Sequence, residues 1–268
     1  MRRWLVAAVI ALSVSATALA TPRHAPVPGG VAWVPLPVTG DEAPTAQFGD
    51  APLLVVREGD SWLALVGLPI DQVPGEATIR WAQGAAAGEL AISVAAKAYP
   101  TQELRVAPKY VEPDPETLVR IGKERARVNE IKALHSLELP DLGFVAPADG
   151  PLSSRYGLRR VFNGQPRSPH LGLDIAVPKG TPVRTPSVGT VVDVGDYYYW
   201  GRFVAVDHGR GLVTLYAHLS QVGVTVGQRL AAGEVLGAVG ATGRVTGAHL
   251  HWAVILNGHA VDPELFLP

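Results

Sequence analysis

No cysteine occurs in the 268 residues, which excludes a disulfide framework, a thiol nucleophile and a lipid-modified cysteine anchor. Any metal must therefore be held by histidine and carboxylate. An excess of charge is missing too: 23 Lys and Arg stand against 24 Asp and Glu. With no long basic run, nucleic acid is excluded as the main partner, because phosphates select a basic surface. What is plentiful is apolar: 47% of the residues are hydrophobic, enough for a globular chain of two modest domains.

The opening, MRRWLVAAVIALSVSATALATPRHAP, sets two arginines before an uncharged apolar run that ends in Ala18-Leu19-Ala20. This is the order of a secretory signal over residues 1–20 with an A-x-A cleavage site, so the mature chain is expected to begin near Thr21. The alternative is an uncleaved anchor, since the run is about as long as a bilayer requires. Either way the chain is exported, to the periplasm or cell envelope. Cleavage would leave no stable membrane insertion.

Residues 31–110 are predicted to form a small β-sandwich acting as an accessory domain. Two apolar runs flank Glu58-Gly59-Asp60-Ser61 as a hairpin, and EATIRWAQG and GELAISVAAKAY continue the strand pattern. A linker helix is expected over 114–136, with Asp114 as its cap and Pro115 at its first position. Leu118, Ile121, Val128 and Ile131 recur there at helical spacing among charges that read as a solvated face. From 145 to 268 the chain returns to strands and turns, and there most of the histidines gather.

In SPHLGLDIAVP a period of two puts Leu171, Leu173, Ile175 and Val177 on one face, and His170 and Asp174 together on the other. By the same parity Tyr216 and His218 are expected to share a face in GLVTLYAHLS, opposite Val213, Leu215 and Ala217. In GAHLHWAV, His249 and His251 share one as well. A catalytic zinc site commonly uses three protein ligands and leaves a fourth position for water. His170, Asp174 and one of His249 and His251 would supply that set. Parity does not say which of the pair is the ligand. Two neutral imidazoles and a carboxylate leave the metal net positive, which acidifies bound water, and the remaining histidines are then placed to move protons.

HxxxD, then Tyr-x-His, then HxH is the motif order of the lysostaphin/LytM-type zinc metallopeptidases, which the chain resembles over roughly 147–268. The match runs through SSRYGLRRVFNGQPRSPHLGLDIAVPKG, VDHGRGLVTLYAHLS, VGATGRVTGAHLHWAV and the closing VDPELFL. The resemblance implies one Zn2+ per chain on His170, Asp174 and His251, with His218 and His249 as the catalytic histidines. It implies a compact antiparallel β-domain with an open groove, hydrolysis of peptide bonds, and peptidoglycan stem peptides as the partner. Where that pattern has a GGN-like turn, this chain has WGRFVAVDHG, with Arg202 and Phe203 in place of the small residue and Asn. A non-catalytic, wall-bound adaptor of another hydrolase is the alternative, which retention of all five key residues disfavours.

The remaining residues carry weaker signals. DYYYWGR either lines a peptide groove or forms a buried loop cluster. Arg155 and Asn163 are candidates to flank the cleft. His208 and His259 fall in turn contexts and read as structural, while His24 and His135 lie in the entry and linker.

Overall fold

The structure, a computed structural model, describes residues 22–105 and 111–268. The expected signal and cleavage point at residues 1–21 lie outside the described residues. No described helix is long and apolar enough to cross a membrane.

The first half holds β1 (Val31–Leu36), β2 (Thr45–Phe48), β3 (Ala51–Pro52), β4 (Leu54–Glu58), β5 (Ser61–Gly67), β6 (Gly75–Gln83), β7 (Ala86–Val94) and β8 (Thr101–Leu104). Helix α1 (Pro115–Lys132) follows. The second half holds β9 (Leu152–Ser154), β10 (Arg159–Phe162), β11 (Gln165–Arg167), β12 (Leu173–Ile175), β13 (Pro182–Arg184), β14 (Gly189–Tyr197) and β15 (Gly201–Gly209). It continues through β16 (Leu212–Val222), β17 (Arg229–Leu230), β18 (Val235–Val239), β19 (Leu250–Leu256) and β20 (His259–Val261) to a 3-10 turn at Pro263–Phe266. The chain is mainly β, with antiparallel pairing except between β8 and β10.

The sheet β1-β5-β4 faces the sheet β3-β2-β6-β7 across a core that includes Leu36, Trp62, Val66, Ile79 and Ile92. Gly59 and Asp60 turn the β4–β5 hairpin where the sequence places it, with Gly59 at φ 58°. The other face of β1-β5-β4 is buried as well. Val31, Leu54 and Leu65 join Leu173, Trp252 and Leu256 in one continuous core. Burial on both faces explains why Trp62–Val66 is an unbroken apolar run rather than an alternating one. At the seam Gly67 donates its N–H to Oδ1 of Asn257 at 2.7 Å, and Asn257 Nδ2 donates back to the Gly67 carbonyl at 3.2 Å.

Two features depart from the modular layout expected from sequence. Strand β8, placed within the 31–110 sandwich by sequence, instead pairs in parallel with β10, Thr101 opposite Arg159 and Leu104 opposite Phe162. Helix α1 carries the narrow apolar stripe and solvated charged face expected of it, and it also docks on the second half. Asp114 caps it by accepting from Thr117 N at 2.8 Å, and Pro115 opens it. Its buried stripe is Ile121, Val128 and Ile131, while Leu118, expected in that stripe, is 52% exposed because the stripe begins one turn later. Arg127 pins the helix to β14 through Asp193 Oδ2 at 3.0 Å and the Val192 carbonyl at 3.1 Å.

The ten-stranded sheet runs β17-β14-β15-β16-β19-β12-β9, with β13, β18 and β20 paired at its margins. Its centre carries the histidines. Tyr216, fully buried, faces the large core with Trp252 and Leu212. Val213, Leu215, Ala217, Ala253 and Ile255 face the α1 side with Ile131.

Candidate metal centre and active-site groove

Asp174 sits at the middle of the three-residue strand β12, between Leu173 and Ile175, whose side chains lie in the core. Its neighbours across the ladder are His251 of β19 and Ser154 of β9. His251 is in turn opposite Ala217, whose small side chain leaves the imidazole room. The strand is shorter than sequence alternation suggests. His170 and Leu171 precede it, and Leu171 lines the groove instead of joining the core.

Three donor atoms converge. Nε2 of His170 lies 3.0 Å from Oδ1 of Asp174 and 3.0 Å from Nδ1 of His251, and that Nδ1 is 2.8 Å from Asp174 Oδ1. Nδ1 of His170 is 2.9 Å from the Arg155 carbonyl. A carbonyl only accepts, so the proton of a neutral His170 is on Nδ1 and its Nε2 presents a lone pair. Lone pairs then face one another around a single point, an arrangement that calls for a cation between them. Three ligands at zinc distances lie roughly 3.3 to 3.6 Å apart at tetrahedral angles, near the observed spacing. His170, Asp174 and His251 thus fit a metal ion, and they are the group able to hold one among the described residues.

The electrostatics agree with that donor set. Burial works to raise the Asp174 carboxyl, but close contact with the His170 and His251 rings, which can turn a ring proton toward it when no metal is bound, outweighs burial and holds the group well below the usual carboxylate range. Burial pushes His251 down to about 4 against the pull of Asp174. It pushes His218 down to about 3, with His251 and His249 adding repulsion. Neutral imidazoles and an ionised carboxylate are the forms that bind metal.

Gly172 is required by this packing. A Cβ there would stand 2.5 Å from Cε1 of His251 and 2.8 Å from the Trp252 carbonyl. The alternating HxGxD of the sequence therefore reads as two donors separated by the one residue small enough to let His251 in.

His218 reaches the same place by a different route from the expected one. Parity would set it beside Tyr216, yet Tyr216 is in the core and His218 lines the groove with Leu215 and His251. The reason is backbone: His218 is at φ 64°, and the ladder shifts register between Arg202 and Val204 and between Leu219 and Gln221. This bulge redirects the side chain. Nδ1 of His218 is 2.9 Å from the Thr242 carbonyl, and Nδ1 of His249 is 2.9 Å from the Gly247 carbonyl. Each histidine in its neutral form therefore presents Nε2 as a base. That of His249 is 3.8 Å from Asp174 Oδ1, and the two rings are 4.9 Å apart.

The groove is a cavity of about 430 Å³ between the sheet and α1. Ile121, Arg125, Val128 and Lys132 of the helix form one wall of it. Of the DYYYWGR aromatics, Tyr197, Tyr199 and Trp200 line it, and Trp200 meets His251 edge-on with ring centres 5.4 Å apart. Arg155 turns its side chain to Glu264 instead and contributes its carbonyl, and Asn163 lies in the β10–β11 turn. Phe203 is fully buried, and Arg202 bonds the Ser220 carbonyl. His208 is structural, buried with Nδ1 2.7 Å from the Val188 carbonyl and Nε2 2.8 Å from Thr214 Oγ1.

Sequence reasoning missed Arg160, Arg167 and Arg244, which line the groove. The signal was present. Asn163-Gly164 between RRVF and QPR is a two-residue hairpin turn, which by itself places Arg160 opposite Arg167.

Residues 168–263 match Peptidase family M23, and residues 24–97 match the Peptidase family M23 N-terminal domain. Among curated proteins, peptidoglycan DD-endopeptidase ShyA of Vibrio cholerae is 42% identical over 112 residues, 41% of this chain and 26% of its own length. DD-carboxypeptidase/endopeptidase Mpg of Neisseria meningitidis is 45% identical over 94 residues, 35% of this chain and 22% of its own. The chain spans about a quarter of the length of these curated relatives. A crystal structure of a Pseudomonas aeruginosa protein assigned to peptidase M23 is 42% identical with a TM-score of 0.77, covering 90% of this chain and 94% of that one. Likeness of that extent, spanning both family matches, shows that the chain belongs to peptidase family M23.

Proposed function

We propose that this chain is a zinc-dependent endopeptidase of the cell envelope that hydrolyses peptide cross-links in bacterial peptidoglycan. The observation that carries the reading is the convergence of His170 Nε2, Asp174 Oδ1 and His251 Nδ1 on one point, beside two further histidines, His218 lining the groove and His249 with Nε2 3.8 Å from Asp174 Oδ1. The names of the curated relatives supply the substrate class.

In this reading His170, Asp174 and His251 hold the zinc, which supplies Lewis acidity toward the scissile carbonyl and toward water. His249 and His218 move the protons. Their Nδ1 atoms are committed to backbone carbonyls, so each Nε2 is fixed in position and orientation before substrate arrives. One takes the proton of the attacking water and passes it to the leaving amine, and the other steadies the charge that develops on the carbonyl oxygen. Burial keeps the His218 ring uncharged at neutral pH and ready to accept. Trp200, Tyr197 and Tyr199 provide flat contact area for an extended peptide, and helix α1 limits access from the far side.

The test is mass spectrometry of muropeptides from purified sacculi incubated with residues 21–268, with and without a zinc chelator. Chelator-sensitive conversion of cross-linked dimers to monomers is expected. Sacculi left unchanged by zinc-loaded protein would overturn the reading in favour of an adaptor.

A further inference from the structure

A chain with a formal net charge of −1 would be expected to line its groove evenly. It does not. Arg125, Lys132, Arg160, Arg167 and Arg244 line the groove against the carboxylate of Glu124, with that of Asp174 beside Arg160 at the metal centre. Glu124 is already engaged by Arg120 at 2.6 Å and by the Tyr198 N–H at 2.9 Å.

Three of the cations form a unit. Arg160 and Arg167 are directly opposite one another on the β10–β11 hairpin, a juxtaposition of like charges that costs stability in a sheet. The guanidinium of Arg244 is stacked against two rings, 4.2 Å from that of Tyr199 and 4.9 Å from that of Phe162, the latter on the same hairpin. Stacking fixes the plane of the fork and leaves its edge donors for a ligand. Burial depresses the Arg244 pKa, and repulsion from Arg160 and Arg167 adds to it. Among the described residues Arg167 bonds only backbone carbonyls and Gln165, and Arg244 has no carboxylate partner. Arg160 keeps a buried Nε without a partner, and its Nη2 is 3.4 Å from Oδ2 of Asp174. The cluster therefore begins one side chain away from the proposed metal centre.

We propose that Arg160, Arg167 and Arg244 form a carboxylate-binding subsite, so that the preferred substrate bears a free carboxylate on the residue adjoining the scissile amide. This inference rests on the peptidase reading above and narrows it. A bond between two residues inside an oligoglycine bridge has no such group, whereas a cross-link made to an amine whose own carbon also bears an unlinked carboxylate leaves that carboxylate beside the bond. Planar guanidinium forks match a carboxylate in two parallel hydrogen bonds, and an amide in its place would face the donors with an NH2.

The experiment is an NMR titration of the full chain, in chelator, with acetyl-D-alanyl-D-alanine and with its carboxamide. Working without metal removes both hydrolysis and any contribution of the ion to carboxylate affinity. The carboxamide is expected to bind about 30-fold more weakly, the range for a charge-assisted contact. Arg244→Gln should weaken the free acid by a similar factor and leave the carboxamide unchanged, with Arg244→Lys intermediate. Should Arg244→Gln misfold by circular dichroism, Arg167→Gln replaces it. Equal affinity for acid and carboxamide, or equal weakening of both by the variant, would overturn the subsite. Absence of hydrolysis of sacculi would bring down the peptidase reading alone, because the titration does not depend on turnover.

Discussion

Replacing Gly172 with alanine should separate metal binding from folding. The added methyl would stand 2.5 Å from Cε1 and 2.7 Å from Nε2 of His251, and 2.8 Å from the Trp252 carbonyl. Ordinary contact needs roughly 3.4 Å or more between such atoms, so the ring must retreat by nearly 1 Å or the β12 backbone must shift. Trp200, edge-on to the same imidazole with ring centres 5.4 Å apart, limits how far the ring can move. Overpacking of this kind costs about 1 to 3 kcal/mol, which for a chain this long lowers Tm by roughly 2 to 12 °C. A folded core should survive that. Metal geometry should not, since ligand positions tolerate about 0.2 Å, and a displacement near 1 Å costs on the order of 100-fold in rate. The expected result of competition titration with a chromogenic zinc chelator is therefore an affinity at least tenfold weaker, in protein with a native circular dichroism spectrum. Gly122→Ala on α1 is the control, because a Cβ there meets nothing within 4 Å. It should stabilise the chain by up to about 1 kcal/mol. Unchanged zinc affinity and turnover in Gly172→Ala would refute the steric argument and, with it, the placement of His251 as a ligand.

Within the histidine cluster, His170→Ala should abolish metal retention after dialysis, whereas His249→Ala should keep the metal and lose about 100-fold or more in turnover. Metal analysis showing the reverse for His249 and His251 would exchange their roles. His208 should set an acid limit to stability. Burial pushes it from 6.5 down to about 4, so between those values the unfolded chain binds a proton that the folded chain refuses. The stability it contributes is complete above pH 6.5 and is lost as pH falls toward 4, at roughly 1.4 kcal/mol per pH unit and about 3 kcal/mol in all. Urea unfolding at pH 7 and pH 5 should show the advantage of wild type over His208→Asn shrinking at the lower pH. A constant difference would show that His208 does not titrate in that window.

Much of this site was legible from residue order, because the groups that bind and move protons are few and distinctive. His170 and Asp174 around Gly172, and the pair His249 and His251, announce a candidate metal site in a chain without cysteine. Asp114-Pro115 announces a helix start, since capping chemistry is local. Alternation failed at His218, where one left-handed residue turns the side chain to the other face, and a histidine gives no local sign of that. It also failed to show that β8 pairs with β10, because the partners are far apart in sequence and parallel strands leave no turn between them. The solvated charged face of the helix was legible from its residues; that Arg125 and Lys132 also border the groove is revealed only by tertiary packing.

The parallel pairing of β8 with β10 has a consequence for how such chains can be rearranged. The hairpin bearing Arg160 and Arg167 is held along one edge by residues 101–104, while the ligand strands β12 and β19 lie in the other sheet. Recombination near residue 145 would transplant the ligands intact but strip the arginine hairpin of its neighbouring strand, exposing an unpaired edge. If the proposed roles hold, chemistry and selectivity are inherited by different routes in this chain: the first travels with the carboxyl-terminal half, and the second requires both halves from the same parent.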